Sequence, residues 1–223
     1  MLKNIFNFKK ICFEFILFFT MSIIIFEFTA CNILNQKHLN GIVKEMEDKQ
    51  IALFTELAYA SKDRVIFYGT IGLIVYDVSN KQIYRAINLK DINMNHIQGD
   101  EVTIFKVKED GSEILIYNDS DHDNAYLYNI ENDKLSKSNI SNFNDEYKGP
   151  HYFEDEYNKI NYYNDECIKK YGDIELLDYA HIDENNMCYL IYPSENNGSK
   201  GLSNLKILIV NKEANEDEVY EIF

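Results

Sequence analysis

The body of this chain is predicted to be an all-β fold of antiparallel four-strand meanders, and three observations predict it. Runs of four to ten residues rich in β-branched and aromatic side chains recur from residue 51 onward. Polar turns separate them every few residues, which is the hairpin signal. The same strand-turn-strand pattern returns further along the chain: VYDVSNKQI aligns with LYNIENDKL at an offset of 52 residues, from Asp77 to Asn129, and LIVNKEANEDEVYEIF gives a third version.

Taken in order, Ile51 to Ala60 (IALFTELAYA) reads as a first strand, followed by a Ser61-Lys62-Asp63 turn. Val65 to Tyr68 is a strong strand, broken by Gly69 and Gly72. Leu73 to Val78, a turn at Ser79-Asn80-Lys81, and Gln82 to Leu89 complete a four-strand meander. The pattern then repeats: Glu101 to Lys108, a turn at Glu109-Asp110-Gly111, Glu113 to Tyr117, an acidic loop, Ala125 to Ile130, a turn at Glu131-Asn132-Asp133, and Leu135 onward. Asp-Gly at 110–111 marks a hairpin, because glycine enters the left-handed region without steric cost. Residues 141–185 are less regular, with a short helix expected over Asp165 to Tyr179. Four strands per 40–50 residues is the blade unit of a β-propeller. Residues 51–223 would supply about four such blades; a partial propeller or a stacked antiparallel sandwich stays open.

The first fifty residues differ. Lys3, Lys9 and Lys10 precede Phe15 to Phe26, a run of twelve residues that is apolar except for Thr20 and Ser22. A basic start, a short apolar core and small residues before a cleavage point make a secretory signal. Twelve helical residues reach about 18 Å, short of the roughly 30 Å hydrocarbon core. The longer window Ile11 to Phe28 includes Glu14 and Glu27, each costly near the bilayer centre. Residues 1–30 are therefore expected to be a signal peptide and 31–50 a polar tether or short helix. The remaining 51–223 form one domain, since no Pro/Gly/Ser-rich linker divides them. An uncleaved N-terminal anchor helix is the alternative. Either reading puts the body outside the cytoplasm.

Charge sharpens the division. The 223 residues carry 22 Lys+Arg against 37 Asp+Glu, a formal charge of -15. Residues 1–30 hold three Lys and two Glu, so the 193 residues from Cys31 carry -16. That acidity opposes nucleic-acid binding and polybasic membrane attachment, both of which need clustered cations. At 46% hydrophobic and 26% charged, the composition is that of a folded protein. A body of this length buries close to 70% of its unfolded surface and needs no metal or disulfide for stability, and no cofactor is expected.

Two resemblances follow. Phe28-Thr29-Ala30-Cys31 resembles the lipobox of bacterial prolipoproteins, Leu-(Ala/Ser/Thr)-(Gly/Ala)-Cys, with Thr29, Ala30 and Cys31 matching and Phe28 departing from it. The resemblance implies that Cys31 becomes the lipidated N-terminus, anchored to the cell membrane by two acyl chains on the extracytoplasmic face. The stretch VIFYGTIGLIVYDVSNKQIYRAINL, with IQGDE, VKEDGSEILIY and AYLYNIENDKL after it, resembles propeller-type strand repeats of extracytoplasmic segments in Gram-positive bacteria. In particular it is similar to the soluble segment appended to membrane metallopeptidases of the β-lactam-sensor class. No His-Glu-x-x-His occurs among His38, His96, His122, His151 and His181. The resemblance therefore implies a sensor-like or structural ectodomain and carries no catalytic residue.

Candidate sites are few. Asp119, Asp121 and Asp123 alternate as in the first half of an EF-hand loop, but Asn124 stands where the glycine belongs and Ile130 where the bidentate Glu belongs. A solvated hairpin loop is the simpler expectation. Cys167 and Cys188 can form a disulfide in an exported protein, closing a loop of about 20 residues worth about 3 kcal/mol; two buried free thiols are the alternative. Residues 145–166 interleave Tyr147, Tyr152, Tyr157, Tyr162 and Tyr163 with acids. Such rings stack on sugars or hold a basic peptide, or they pack one side of an edge strand on the core. No nucleophile elbow, Walker loop or dinucleotide fingerprint is present. The expected function is a non-catalytic binding or sensor module at the cell surface, with a protein, peptide or glycan ligand. A surface hydrolase or carbohydrate-active protein, or a structural envelope lipoprotein, stands as the alternative.

Overall fold

The computed structural model describes residues 39–45, 55–69, 72–96, 102–143, 145–149, 170, 174–193, 204–211, 213 and 216–222. The chain divides into two compact units, Met1–Gly41 and Ile42–Phe223. Of the first, only residues 39–41 are described, and they are helical. The segment expected to be a signal peptide, and Cys31, lie outside the described residues. In the second unit, residues 42–45 are helical, with Ile42 and Val43 buried and Glu45 facing Asn88 and Lys90.

The second unit is built from antiparallel sheets whose strands follow chain order, apart from one two-residue strand in the second. The first sheet is β1 (Glu56–Ala60), β2 (Arg64–Gly69), β3 (Gly72–Asp77) and β4 (Gln82–Asn88). The second holds β5 (Thr103–Lys108), β6 (Glu113–Asn118), β7 (Asp121–Asn129) and β8 (Lys134–Ser138), with β9 (Tyr147–Lys148) added beside β5. The third is β10 (Ile174–His181), β11 (Asn186–Pro193), β12 (Lys206–Asn211) and β13 (Glu216–Glu221). The expected meanders are thus present.

The repeat seen in the sequence is the hairpin between the third and fourth strands of each sheet. Asp77, Asn129 and Asn211 each end a third strand, and after four intervening residues the fourth begins. Their side chains do the same work. Asp77 Oδ1 accepts from Asn80 N at 2.8 Å, Asn129 Oδ1 from Asn132 N at 2.9 Å, and Asn211 Oδ1 from Glu213 N at 3.0 Å. An Asx side chain closing a turn on its own backbone is the reason these residues recur there. Lys81 and Asp133, at equivalent places before β4 and β8, both take positive φ (53° and 50°).

The helix expected over Asp165 to Tyr179 is overturned for Ile174–Tyr179, which belong to strand β10. Its pairing with β11 shifts between Leu176 and Asp178. The bulge inserts one residue, so that Ile174, Leu176 and Tyr179 all pack on one apolar cluster with Met187, Tyr189, Ile191 and Leu208. A three-residue step from Leu176 to Tyr179 imitates a helical face.

The acidic loop after Tyr117 is also corrected. Asp119 and Ser120 alone form the turn, and β7 begins at Asp121. Asn118 Oδ1 closes that turn on Ser120 N at 2.9 Å. Asn118 pairs with Asp121 and Tyr117 with Ala125, so residues 122–124 bulge between two rungs of the ladder.

The main core lies between the first and second sheets. Ile66, Leu73 and Val75 from one meet Phe105, Val107, Ile114, Ile116 and Tyr128 from the other, with Leu89 and Met94 filling in from the connection after β4. Arg64 fastens these sheets at their ends: Nη1 donates to Gly111 O at 2.7 Å and Nη2 to Glu131 Oε1 at 2.6 Å. Arg85 adds a bond to Ile130 O and stacks over Tyr84, 4.1 Å from the ring centroid.

The opposite face of the first sheet meets the third. Leu57 N donates to Asp178 Oδ2 at 2.7 Å, and Tyr76 OH donates to Glu221 O at 3.2 Å. Tyr76 and Tyr220 meet edge to face, and Lys62 pairs with Asp183 at 3.1 Å. The first sheet is thus covered on one side by its successor in the chain and on the other by the last sheet.

Candidate functional site

One face of the second sheet carries the main core. The other presents Ile104 and Lys106 on β5 and Leu115 and Tyr117 on β6, because alternate residues of a strand point to opposite faces. Register places Lys106 directly beside Leu115 and Ile104 beside Tyr117. The chain after β8 folds back over this face. Asn139 Oδ1 caps a short 3₁₀ turn at Ile140–Asn142 by accepting from Ser141 N at 3.0 Å. Phe143 N then donates to Ile140 O at 3.0 Å. β9 brings Tyr147 alongside Lys108.

Between the sheet face and this returning segment is a cleft of about 190 Å³, lined by Lys106, Leu115, Tyr117, Ile140, Phe143, Asp145 and Tyr147. Its walls are held in place. Phe143 and Tyr147 meet edge to face, with centroids 4.9 Å apart. Tyr147 OH donates to Glu113 Oε2 at 2.7 Å, and Glu113 Oε1 accepts from Asn129 Nδ2 at 3.1 Å. Burial, reinforced by the Glu113 carboxylate, pushes the Tyr147 phenol well above its ordinary range, so it stays a neutral donor. On the sheet face Tyr117 is braced by His122, edge to face with centroids 5.7 Å apart.

The polar groups of the cleft are differently placed. Lys106 is half-buried and Asp145 exposed, and neither has a hydrogen-bond or ion-pair partner among the described residues. An aromatic and aliphatic hollow with one cation and one anion at its edge suits a small ligand with an apolar body and polar ends. Among the described residues no nucleophile paired with a base lines it.

The other sequence candidates are placed as follows. Asp119 sits in the turn before β7, where its N–H donates to Val102 O at 2.9 Å. Asp121 and Asp123 lie at the start of β7, Asp123 N donating to Asp121 Oδ1. Among the described residues no three His, Cys, Asp or Glu side chains come together as a metal site. Cys188 is a buried free thiol in β11, its pKa raised by burial and then by Asp178. Cys167 lies outside the described residues, as do Tyr152, Tyr157, Tyr162 and Tyr163. Among the described residues no helix is long and apolar enough to cross a membrane.

Sequence reasoning reached Asp145 and Tyr147 through the tyrosine- and acid-rich segment, but missed Lys106, Leu115, Tyr117, Ile140 and Phe143. The available signal was in β5. Its second face reads Ile104, Lys106, Lys108, a mixture of apolar and cationic residues where a plain solvent face would be polar throughout.

No protein-family model matches the chain, and no curated protein matches it. Among solved structures it is similar to the N-terminal domain of Nup159, with 8% identity over 75% of this chain and 48% of that one and a TM-score of 0.24. It is likewise similar to a chain of the S. cerevisiae Dbp5 complex with Nup159, Gle1, IP6 and ADP, with 9% identity, the same coverage and a TM-score of 0.24. The chain spans about half the length of both.

Proposed function

We propose that this chain is a lipid-anchored extracytoplasmic protein whose β body is a non-catalytic binding or sensor module at the cell surface. Anchoring rests on the basic start, the short apolar run and Thr29-Ala30-Cys31. Two acyl chains at Cys31 hold a protein stably where its acidic body has no affinity for an anionic surface.

The body is read as propeller-like, each sheet a blade. The neighbour relations of the sheets support this. The first strands β1, β5 and β10 lie together, β1 touching both others, as the inner strands of blades do around an axis. The last sheet returns to cover the first, which is how a ring of blades ends.

The observation that carries the binding role is the braced cleft on the second sheet, with Lys106 and Asp145 at its edge both without a partner among the described residues. A hollow whose walls are fixed by Glu113, Asn129 and the Asn139 cap loses little entropy when occupied.

Anchoring is tested by expressing the full chain and a Cys31→Ala variant in a Gram-positive host fed an alkyne fatty acid. The parent takes up label and sediments with membranes, and the variant does neither. A variant that stays membrane-bound at unchanged mobility overturns lipid anchoring.

A further inference from the structure

We infer that the cleft on the second sheet takes a free amino acid with a large apolar side chain, held as its zwitterion. This rests on the binding role proposed above and names its ligand. Three features of the site converge on that class.

Size comes first. A hollow of about 190 Å³ is a little larger than the roughly 150 Å³ cavity that admits benzene. It falls well short of the 300–1,000 Å³ or so of sites for drug-sized molecules. It holds one ring or one branched aliphatic side chain, and is too small for an oligosaccharide or an extended peptide. The second feature is the lining. Leu115 and Tyr117 are buried in the floor, and Ile140, Phe143 and Tyr147 form the walls, so the enclosed part of the ligand is apolar. The third is the pair of charges. Lys106 and Asp145 line the same cleft and do not pair with each other or with any described neighbour. An anion beside a half-buried lysine that has no partner among the described residues forms a charge-assisted bond there. A ligand carboxylate does so at Lys106, while the ligand ammonium meets Asp145 at the open rim. The adjacent carboxylate Glu113 is already committed to Tyr147 and Asn129, which leaves Asp145 as the anion of the site.

The two contacts differ in weight. A charge-assisted bond at half-buried Lys106 is stronger than an ion pair at exposed Asp145, where solvent screens it. The carboxylate end of the ligand is therefore read more strictly than the amine end.

The test is calorimetric titration of the full chain, solubilised in detergent, with L-phenylalanine, its methyl ester, its N-acetyl derivative and D-glucose. Phenylalanine binds, the methyl ester about tenfold more weakly and the N-acetyl form about threefold more weakly. In Lys106→Met the acid loses about tenfold and the ester is unchanged; in Asp145→Asn the N-acetyl form is unchanged while phenylalanine weakens. Near-ultraviolet circular dichroism of each variant separates lost binding from lost packing. An ester that binds as tightly as the acid, or a folded Lys106→Met that binds phenylalanine like the parent, overturns the inference. Binding of glucose without phenylalanine overturns it too, while leaving a binding role intact. Fractionation of the Cys31 variant reads anchoring independently, so an anchored chain that binds no amino acid refutes the ligand and not the anchor.

Discussion

The bond from Leu57 N to Asp178 joins residues 121 positions apart and lies where the first and last sheets meet. Both strands are bulged there: β1 shifts register against β2 between Leu57 and Tyr59, and β10 against β11 between Leu176 and Asp178. Leu57 is wholly buried, so its N–H has no water to turn to once the carboxylate is removed. Asp178→Ala leaves that donor orphaned, at a cost of about 1–3 kcal/mol. Taking about 2 kcal/mol, the melting temperature of a body this size falls by about 4–8 °C. Asp178→Asn keeps an acceptor for Leu57 N but gives up the charge and the second acceptance, from Tyr179 N at 2.8 Å, so it costs about 1 kcal/mol. The assay is urea unfolding followed by tyrosine fluorescence, since the chain has 17 Tyr and no Trp. An Ala variant within about 0.5 kcal/mol of the parent, the range of an ordinary surface change, refutes the reasoning. So does an Asn variant as unstable as the Ala one.

Two further predictions concern turns. Gly111 has φ +69°, and a Cβ there would stand 2.9 Å from Tyr59 Cε1. Gly111→Ala therefore combines backbone strain with displacement of the Tyr59 ring, and denaturant titration will show a loss of about 1–2 kcal/mol. Asp183 closes the β10–β11 turn by accepting from Asn185 N and Asn186 N at 2.9 and 2.8 Å. Partial burial alone would raise its carboxyl, but these bonds, the Asn186 side chain and Lys62 bring it from 3.8 down to about 2. A depressed carboxyl stabilises the fold above its unfolded value and loses that contribution as pH falls through the folded one. The stability gap between parent and Asp183→Ala, measured by thermal melts, is thus full above about pH 4 and closes toward pH 2; a gap independent of pH contradicts it.

How much was legible in the sequence follows the range of each interaction. Turns at Asp77, Asn129 and Asn211 were visible because an Asx side chain and the amide it captures are two or three residues apart. The meanders followed from strands that pair with their sequence neighbours. β10 was misread because its bulge gives Leu176 and Tyr179 a helical spacing, and nothing local distinguishes the two. The aspartates at 119–123 suggested a loop by composition, while the turn is set by Asn118 and Ser120. The cleft was only half visible: Tyr147 and Asp145 stood out as residue types, but Lys106 acquires meaning only when the 140–147 segment is laid across β5 and β6. That placement depends on packing, as does the return of the last sheet to the first.

That return sets an order of events for the growing chain. Val65, Phe67, Ile74 and Tyr76 form the face of the first sheet turned away from the second, and Tyr76 meets Tyr220 and Glu221. Contacts separated by 145 residues close late and slowly, since a long loop must be ordered before any contact rewards it. The amino-terminal sheet is thus synthesised first and finished last. Until β13 emerges, one of its apolar faces is open to water, and in that interval the nascent chain is most exposed to aggregation and to proteases.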